Sequence, residues 1–183
     1  SRGLPVEALR VLALQSSYQT TSEFNWSSLT RAAQLLLRLR NLAAQRHQLL
    51  TTKDQDTESQ RVFLTESTQS LLQEVSNNLS WPKALSYIHK ILDRLEVSPV
   101  FSGNIDVFEQ LLRLIEDLSG LELLVFNDIS ESTRDLIKAR TAAKLAGKFN
   151  EADEIRAELK TEGLEIRDTK HGPIWNRLSI SED

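Results

Sequence analysis

The stretch WPKALSYIHKILDRLEVSPVFSGNIDVFEQLLRLIEDLSG, residues 81–120, decides the fold class. Ala84, Leu85, Ile88, Ile91, Leu92 and Leu95 recur at intervals of three and four, which puts them on one side of a helix. Phe108, Leu111, Leu112 and Ile115 repeat the pattern. Pro82 suits a first helical turn, where an N–H has no partner to lose, and Ser80 stands where a side chain can cap. Pro99 and Gly103 break the stretch between the helices, and Gly120 is placed to end the second. Two amphipathic helices joined by a short break need further helices to cover their apolar stripes.

The N-terminal side supplies them. Pro5 opens a helix over 5–18 with Leu4, Ala8, Leu9, Leu12 and Ala13 at helical spacing. After a polar connection over 20–26, Asn25 or Ser27 caps a long helix carrying Leu29, Ala33, Leu36, Leu37, Arg40 and Ala44 and ending near Lys53. Residues 51–60 are polar and read as a loop; a third helix runs through Phe63, Leu71, Leu72 and Val75. Residues 77–82 read as a turn. Trp26 and Trp81, beside turns, read as packing residues at the ends of the helices. The expected architecture over 1–128 is an antiparallel helical bundle with short connections.

Residues 129–183 read differently. Ser130 starts a helix with Leu136, Ala139, Ala143 and Ala146 on one side, and Gly147 ends it. Asn150 caps a second short helix over 151–162, ended by Gly163. Residues 164–168 alternate like a strand, 169–172 form a turn, and 173–178 return as a second strand. The whole chain is thus mostly α, a bundle followed by a small α+β appendage of two short helices and a β-hairpin, with a frayed end at 181–183.

Composition bounds the function classes. The chain has 183 residues, 40% apolar and 26% charged, an ordinary globular balance. It has no cysteine, which excludes disulfides, thiolate metal sites and a cysteine nucleophile. The longest apolar runs, such as 35–37 and 123–126, are far too short to span a membrane. The N-terminus lacks the apolar run of a signal peptide, and the chain has no methionine; it reads as a segment of a longer protein. The net charge of −4 argues against a broad phosphate-binding surface. Even so, 134–148 holds five basic residues and one acid, a local basic patch.

The appendage carries a recognisable pattern. Leu136 to Arg140 reads LIKAR, 142–144 reads AAK, 152–159 reads ADEIRAEL, and 163–169 reads GLEIRDT, followed by Gly172 and Trp175. This resembles the tail of the cysteinyl-tRNA synthetases, whose pattern is roughly R-x-x-A-R/K, A-D-x-I-R-x-x-L, G-(I/L)-x-(I/L)-x-D-T and G-x-x-W. Pro5 to Arg10, with Ser17, Tyr18 and Phe24, is similar to the segment that opens that family's helical tRNA-binding region. Pro82-Lys83-Ala84-Leu85 is similar to its proline turn. The resemblance covers almost the entire chain. The sequence departs from the pattern at Val11, usually tyrosine; at Ser76, Asn77 and Asn78, usually acidic; at Phe149, often tryptophan; and at Lys144, often arginine, where a lysine cannot make a bidentate contact.

The resemblance implies tRNA(Cys) as partner, a cytoplasmic parent protein, and a GCA anticodon read by the appendage, with the parent's own catalytic domain as a second partner. It implies neither membrane nor DNA binding. The family's "HIGH" and "KMSKS" motifs and its zinc site are missing here. The chain alone is therefore expected to be non-catalytic and without cofactor, with ATP and zinc belonging to the parent's catalytic domain. His47, His89 and His171 are scattered without ligand spacing.

By the resemblance Asp153 and Asp168 read the first and second anticodon bases. The chemistry is consistent, since a carboxylate accepts from the imino and amino groups of guanine or the amino group of cytosine and rejects the acceptor-bearing edge of uracil. The residues alone leave Asp153 equally suited to a solvated helix face, and Asp168 to a self-bonded turn. Phe149 and Trp175 are candidates for base stacking or for the appendage's small core. Lys138, Arg140, Lys144, Lys148, Arg156 and Lys170 are the phosphate candidates, with Arg140 and Arg156 also able to pair with Glu151 or Glu158. Arg10 could face either RNA or the parent's other half.

Three other readings compete. One is a non-enzymatic scaffold, marked by a large apolar surface and no RNA affinity. Another is the related cysteine ligase of mycothiol synthesis, against which the 163–175 segment counts. The last is a stand-alone RNA-binding protein.

Overall fold

A helix forms over Trp81–Val97 (α4) because its apolar residues fall on one stripe. Those that the structure buries are Ala84, Leu85, Ile88, Ile91, Leu92 and Leu95, the set read from spacing. The computed structural model describes residues 4–15, 24–48, 50–51, 54–76 and 81–179. The chain divides into two compact units, Ser1–Phe126 and Asn127–Asp183.

The first unit holds α1 (Glu7–Leu14), α2 (Trp26–Ala44), α3 (Asp54–Ser76), α4 and α5 (Ile105–Ser119). α1 packs on α2, α2 on α4, and α3 on both α4 and α5. Asn25 caps α2, its Oδ1 accepting from the Ser28 N–H at 2.8 Å. Gly120 ends α5 at φ 65°, a left-handed conformation that a Cβ would strain. Phe101, Phe108, Leu36, Leu64 and Leu71 are among the largest fully buried side chains.

Several expectations are corrected here. α2 stops at Ala44 and tightens into a 3-10 turn over Gln45–His47, rather than running on toward Lys53. Residues 54–60 of the polar run read as a loop are helical, since α3 starts at Asp54. Its buried positions are Gln60, Leu64, Ser67, Leu71 and Val75, again spaced by three and four. Two of these are polar, so the stripe was invisible to a search for apolar residues, and Leu72, expected inside, is half exposed. Trp26 is also half exposed, its ring edge-on to Phe24. The readings placed on Ser17, Tyr18, Lys53, residues 77–80 and residues 181–183 lie outside the described residues.

Gln60 explains its own burial. Its Oε1 accepts from the Phe101 N–H at 2.9 Å and from Asn104 Nδ2 at 3.2 Å, while Nε2 donates to the Pro99 carbonyl at 2.9 Å. Gln45 does likewise, accepting from the Val100 N–H at 3.0 Å. The α4–α5 connection is thereby drawn into the core with its backbone groups satisfied by side chains. Arg46 and Glu116 perform the same service for the segment after α5. Arg46 donates to the carbonyls of Leu124 and Phe126, both at 2.7 Å, and Glu116 accepts from the N–H groups of Leu123 and Leu124. Arg10 donates to the Gly120 carbonyl, so it ties α1 to the end of α5.

The second unit holds α6 (Glu131–Leu145), α7 (Phe149–Thr161) and an antiparallel pair, β1 (Leu164–Thr169) and β2 (Gly172–Arg177). Ser130 caps α6 by accepting from the Thr133 N–H at 3.1 Å. Gly147, at φ 73°, turns the chain between the helices. α7 begins at Phe149, so Asn150 lies inside its first turn and does not cap it. The inward stripe of α6 is Thr133, Arg140 and Ala143; Ala139 and Ala146 face solvent. On the sheet, Ile166 sits opposite Trp175, and α6 packs on α7, and α7 on β1.

Removing the Gln60 amide takes a partner from the buried Phe101 N–H and from the Pro99 carbonyl, while Asn104 keeps its bond to the Thr57 carbonyl. Gln60→Ala should therefore destabilise the chain by about 2–3 kcal/mol in urea denaturation followed by circular dichroism. Leu72→Ala should change stability by no more than about 0.5 kcal/mol. Equal effects would restore the loop reading of 51–60.

Candidate functional site

In a strand, alternate side chains share a face. Leu164 and Ile166 are buried, so Asp168 is the third residue on the inward face of β1. In α6, Arg140 falls on the inward stripe with Thr133 and Ala143. The two meet. Arg140 Nη1 and Nη2 donate to Asp168 Oδ1 and Oδ2, both at 2.9 Å, and Lys144 Nζ donates to Oδ2 at 2.6 Å. The Arg140 side chain is 3% exposed, whereas those of Asp168 and Lys144 are 45% and 38% exposed.

Electrostatics follow from that geometry. Arg140 above all, with Lys144 second among the donors, holds the Asp168 carboxyl far below the usual carboxylate range, against the opposing effect of burial. Asp168 in turn raises Arg140 above its ordinary value, and the Asp153 carboxylate on α7 adds to that. Arg140 is thus bonded to one of the two acids singled out as base readers and feels the charge of the other. Asp153 itself is exposed.

Each cation of the basic patch over 134–148 has an acidic partner, two of them sharing one carboxylate. Arg134 pairs with Asp128, Lys138 with Asp135, Arg140 and Lys144 with Asp168, and Lys148 with Glu151. Arg156 and Lys170 are exposed. Arg140 is withdrawn from the phosphate set because its charge is buried, and its partner is Asp168 rather than Glu151 or Glu158. Trp175 is 5% exposed and belongs to the core, with the Arg177 guanidinium 5.4 Å from its ring centroid. Phe149, 63% exposed, keeps its face open to solvent. Leu145, on the other side of the Gly147 turn, is 86% exposed.

The site is thus a corner of the second unit where α6 turns into α7 beside the end of β1. Asp168, Asp153, Lys144, Lys148 and Phe149 are exposed or half-exposed there, over a buried Arg140. An open cleft of about 430 Å³ lies at the other ends of the two helices, lined by Asp128, Ser130, Thr133, Glu162 and Arg177 among others.

Cysteine–tRNA ligases match this chain along nearly all of it. That of Brachyspira hyodysenteriae is 24% identical over 186 residues, covering 96% of this chain and 39% of the relative. That of Nitratiruptor sp. is 28% identical over 185 residues, covering 94% and 38%. That of Wolinella succinogenes is 30% identical over 122 residues, covering 60% and 26%. This chain resembles a C-terminal part of the cysteine–tRNA ligases. It spans less than two-fifths of the length of these relatives. No family model matches it.

The residues present do not fit the zinc that the family resemblance implies for the parent. There is no cysteine, and among the described residues no three His, Cys, Asp or Glu side chains converge. His47 is instead engaged with the Phe126 carbonyl at 3.3 Å, and His89 is exposed. Among the described residues no helix is long and apolar enough to cross a membrane.

Asp168→Asn leaves a buried guanidinium facing a neutral partner. It should destabilise the second unit by about 1–3 kcal/mol at pH 7, less than a fully buried pair because the carboxylate is half in water. Because folding lowers the Asp168 pKa, its contribution is fully present above the unfolded value of about 3.9 and is lost as pH falls from there toward the folded value. The gap between wild type and Asp168→Asn, read from hydrogen exchange of the β1 and β2 amides, should be full at neutral pH and shrink below about pH 4. A gap that is independent of pH would remove the ion pair as its cause.

Proposed function

We propose that this chain is the tRNA-recognition part of a cysteine–tRNA ligase, and that its second unit reads the GCA anticodon. In the parent protein, an enzyme of the cytoplasm, the activity would be attachment of cysteine to tRNA(Cys) with ATP, the ATP and zinc being held elsewhere in that protein. The chain itself binds and orients. Its likeness to cysteine–tRNA ligases along nearly its whole length carries this reading.

The chemistry of the corner supports it. Single-stranded loops expose base edges and faces to protein. Phe149 offers an open ring for a base to stack on, worth roughly 1–3 kcal/mol where so used. Asp153 and the outer edge of Asp168 accept from amino and imino groups. Lys144, Lys148, Arg156 and Lys170 remain as phosphate partners; Lys138 lies farther back along α6, held by Asp135. Trp175 serves the reading indirectly, by fixing β1 through its cross-strand neighbour Ile166. Since each cation of 134–148 already has an acidic partner, phosphate contact exchanges one ion pair for another. Affinity should then be modest and its salt dependence shallow.

Fluorescence anisotropy with anticodon stem-loops tests this. The chain should prefer a GCA loop over one changed at the first base by about 5- to 100-fold, a preference that Asp153→Asn abolishes. Phe149→Ala should weaken all loops together. A folded chain with no measurable RNA affinity would favour the scaffold reading instead.

A further inference from the structure

A carboxylate has about four lone-pair directions. In the free protein Asp168 has three donors upon it, two from Arg140 and one from Lys144. Those three leave about one direction free for the amino group of a base. The two cations differ in what they can give up. Arg140 is almost wholly buried, grips both oxygens in fork geometry, and has an Nε that is buried without a partner. Swinging it out would cost the buried face of α6. Lys144 is half in water, holds a single oxygen, and sits on a flexible stem.

We propose that Arg140 is a positioning residue that never touches RNA. It fixes the plane of the Asp168 carboxylate, and Lys144 is the one donor that leaves Oδ2 when a base is read. The bidentate pair locks the carboxylate's rotation, so the free lone pairs point one way before any ligand arrives. Lys144, displaced by an amino-bearing base edge, carries its charge to a neighbouring phosphate. A uracil presents its O4 acceptor where cytosine presents the amino donor, so it offers nothing at that position to replace the ammonium.

This inference rests on the anticodon reading and makes a separate demand. The full chain and two variants, Arg140→Lys and Lys144→Gln, are titrated with a GCA stem-loop and with one carrying uracil at the second base, at several salt concentrations. Arg140→Lys keeps the charge but loses the fork. Its preference for cytosine should fall from roughly 10-fold to within about twofold, while the salt slope stays as in wild type. Lys144→Gln should do the reverse, keeping the preference and reducing the salt slope by about 0.7. A merely structural role for Arg140 would weaken both loops alike and leave the ratio unchanged, which overturns the proposal. If Arg140→Lys does not fold, Lys144→Gln still decides, because loss of its base preference would make Lys144 the reader and contradict the exchange. A wild-type chain with no base preference would instead overturn the anticodon reading itself.

Discussion

A guanidinium taken out of water must find a carboxylate or unfold its surroundings, and in the second unit Arg140 finds Asp168. That demand connects every element of the unit. α6 must present Arg140 inward, β1 must end with Asp168 on its inward face, and β2 must hold β1 in register through Ile166 and Trp175. A two-stranded hairpin is marginal by itself. Here it is held by apolar contact at one end and by an ion pair at the other. The same pair turns an acid suited to base reading into a structural part, so stability and recognition are not separable at this residue.

The first unit solves a related problem with neutral groups. Gln45 and Gln60 satisfy the backbone of the α4–α5 connection, and Arg46 with Glu116 satisfies the segment that follows α5. Arg46 is held below its ordinary pKa by burial, with Glu109 and Glu116 opposing that shift. Connections tied down by side chains in this way do not need regular structure to be ordered. Arg10, whose place in the sequence suits RNA or the parent's other half, is part of this bracing at Gly120.

Much of this was legible in the sequence. The buried face of α4 was read residue by residue, as were the core of α5, its Gly120 end, the start of α6 at Ser130 and the hairpin, while the cap of α2 was narrowed to Asn25 or Ser27. Apolar periodicity and turn chemistry are local signals, and they were sufficient there. They failed where a buried stripe is polar. Gln60 and Ser67 hid the first half of α3, and Arg140 rotated the inward face of α6 away from Ala139 and Ala146. The Arg140–Asp168 pair spans elements 28 residues apart, which no local pattern reveals. Yet each partner had a sign, for Arg140 shares a helical stripe with Thr133 and Ala143, and Asp168 alternates with Leu164 and Ile166. Two opposite charges on two apolar faces were a readable clue to a buried pair. The open face of Phe149 was readable from its place beside a helix end, but the burial of Trp175 was not, because a two-stranded sheet leaves its ring free to point in or out.

The central claim is that the α6–α7 turn and the end of β1 form one RNA-binding corner. Nuclear magnetic resonance mapping of the chain with a GCA anticodon stem-loop tests it most directly. The account predicts that amide shifts concentrate around Lys144 to Arg156 and around Asp168 to Lys170, with residues 4–126 little changed. Shifts confined to the first unit, or none in a folded chain at saturating RNA, would contradict it.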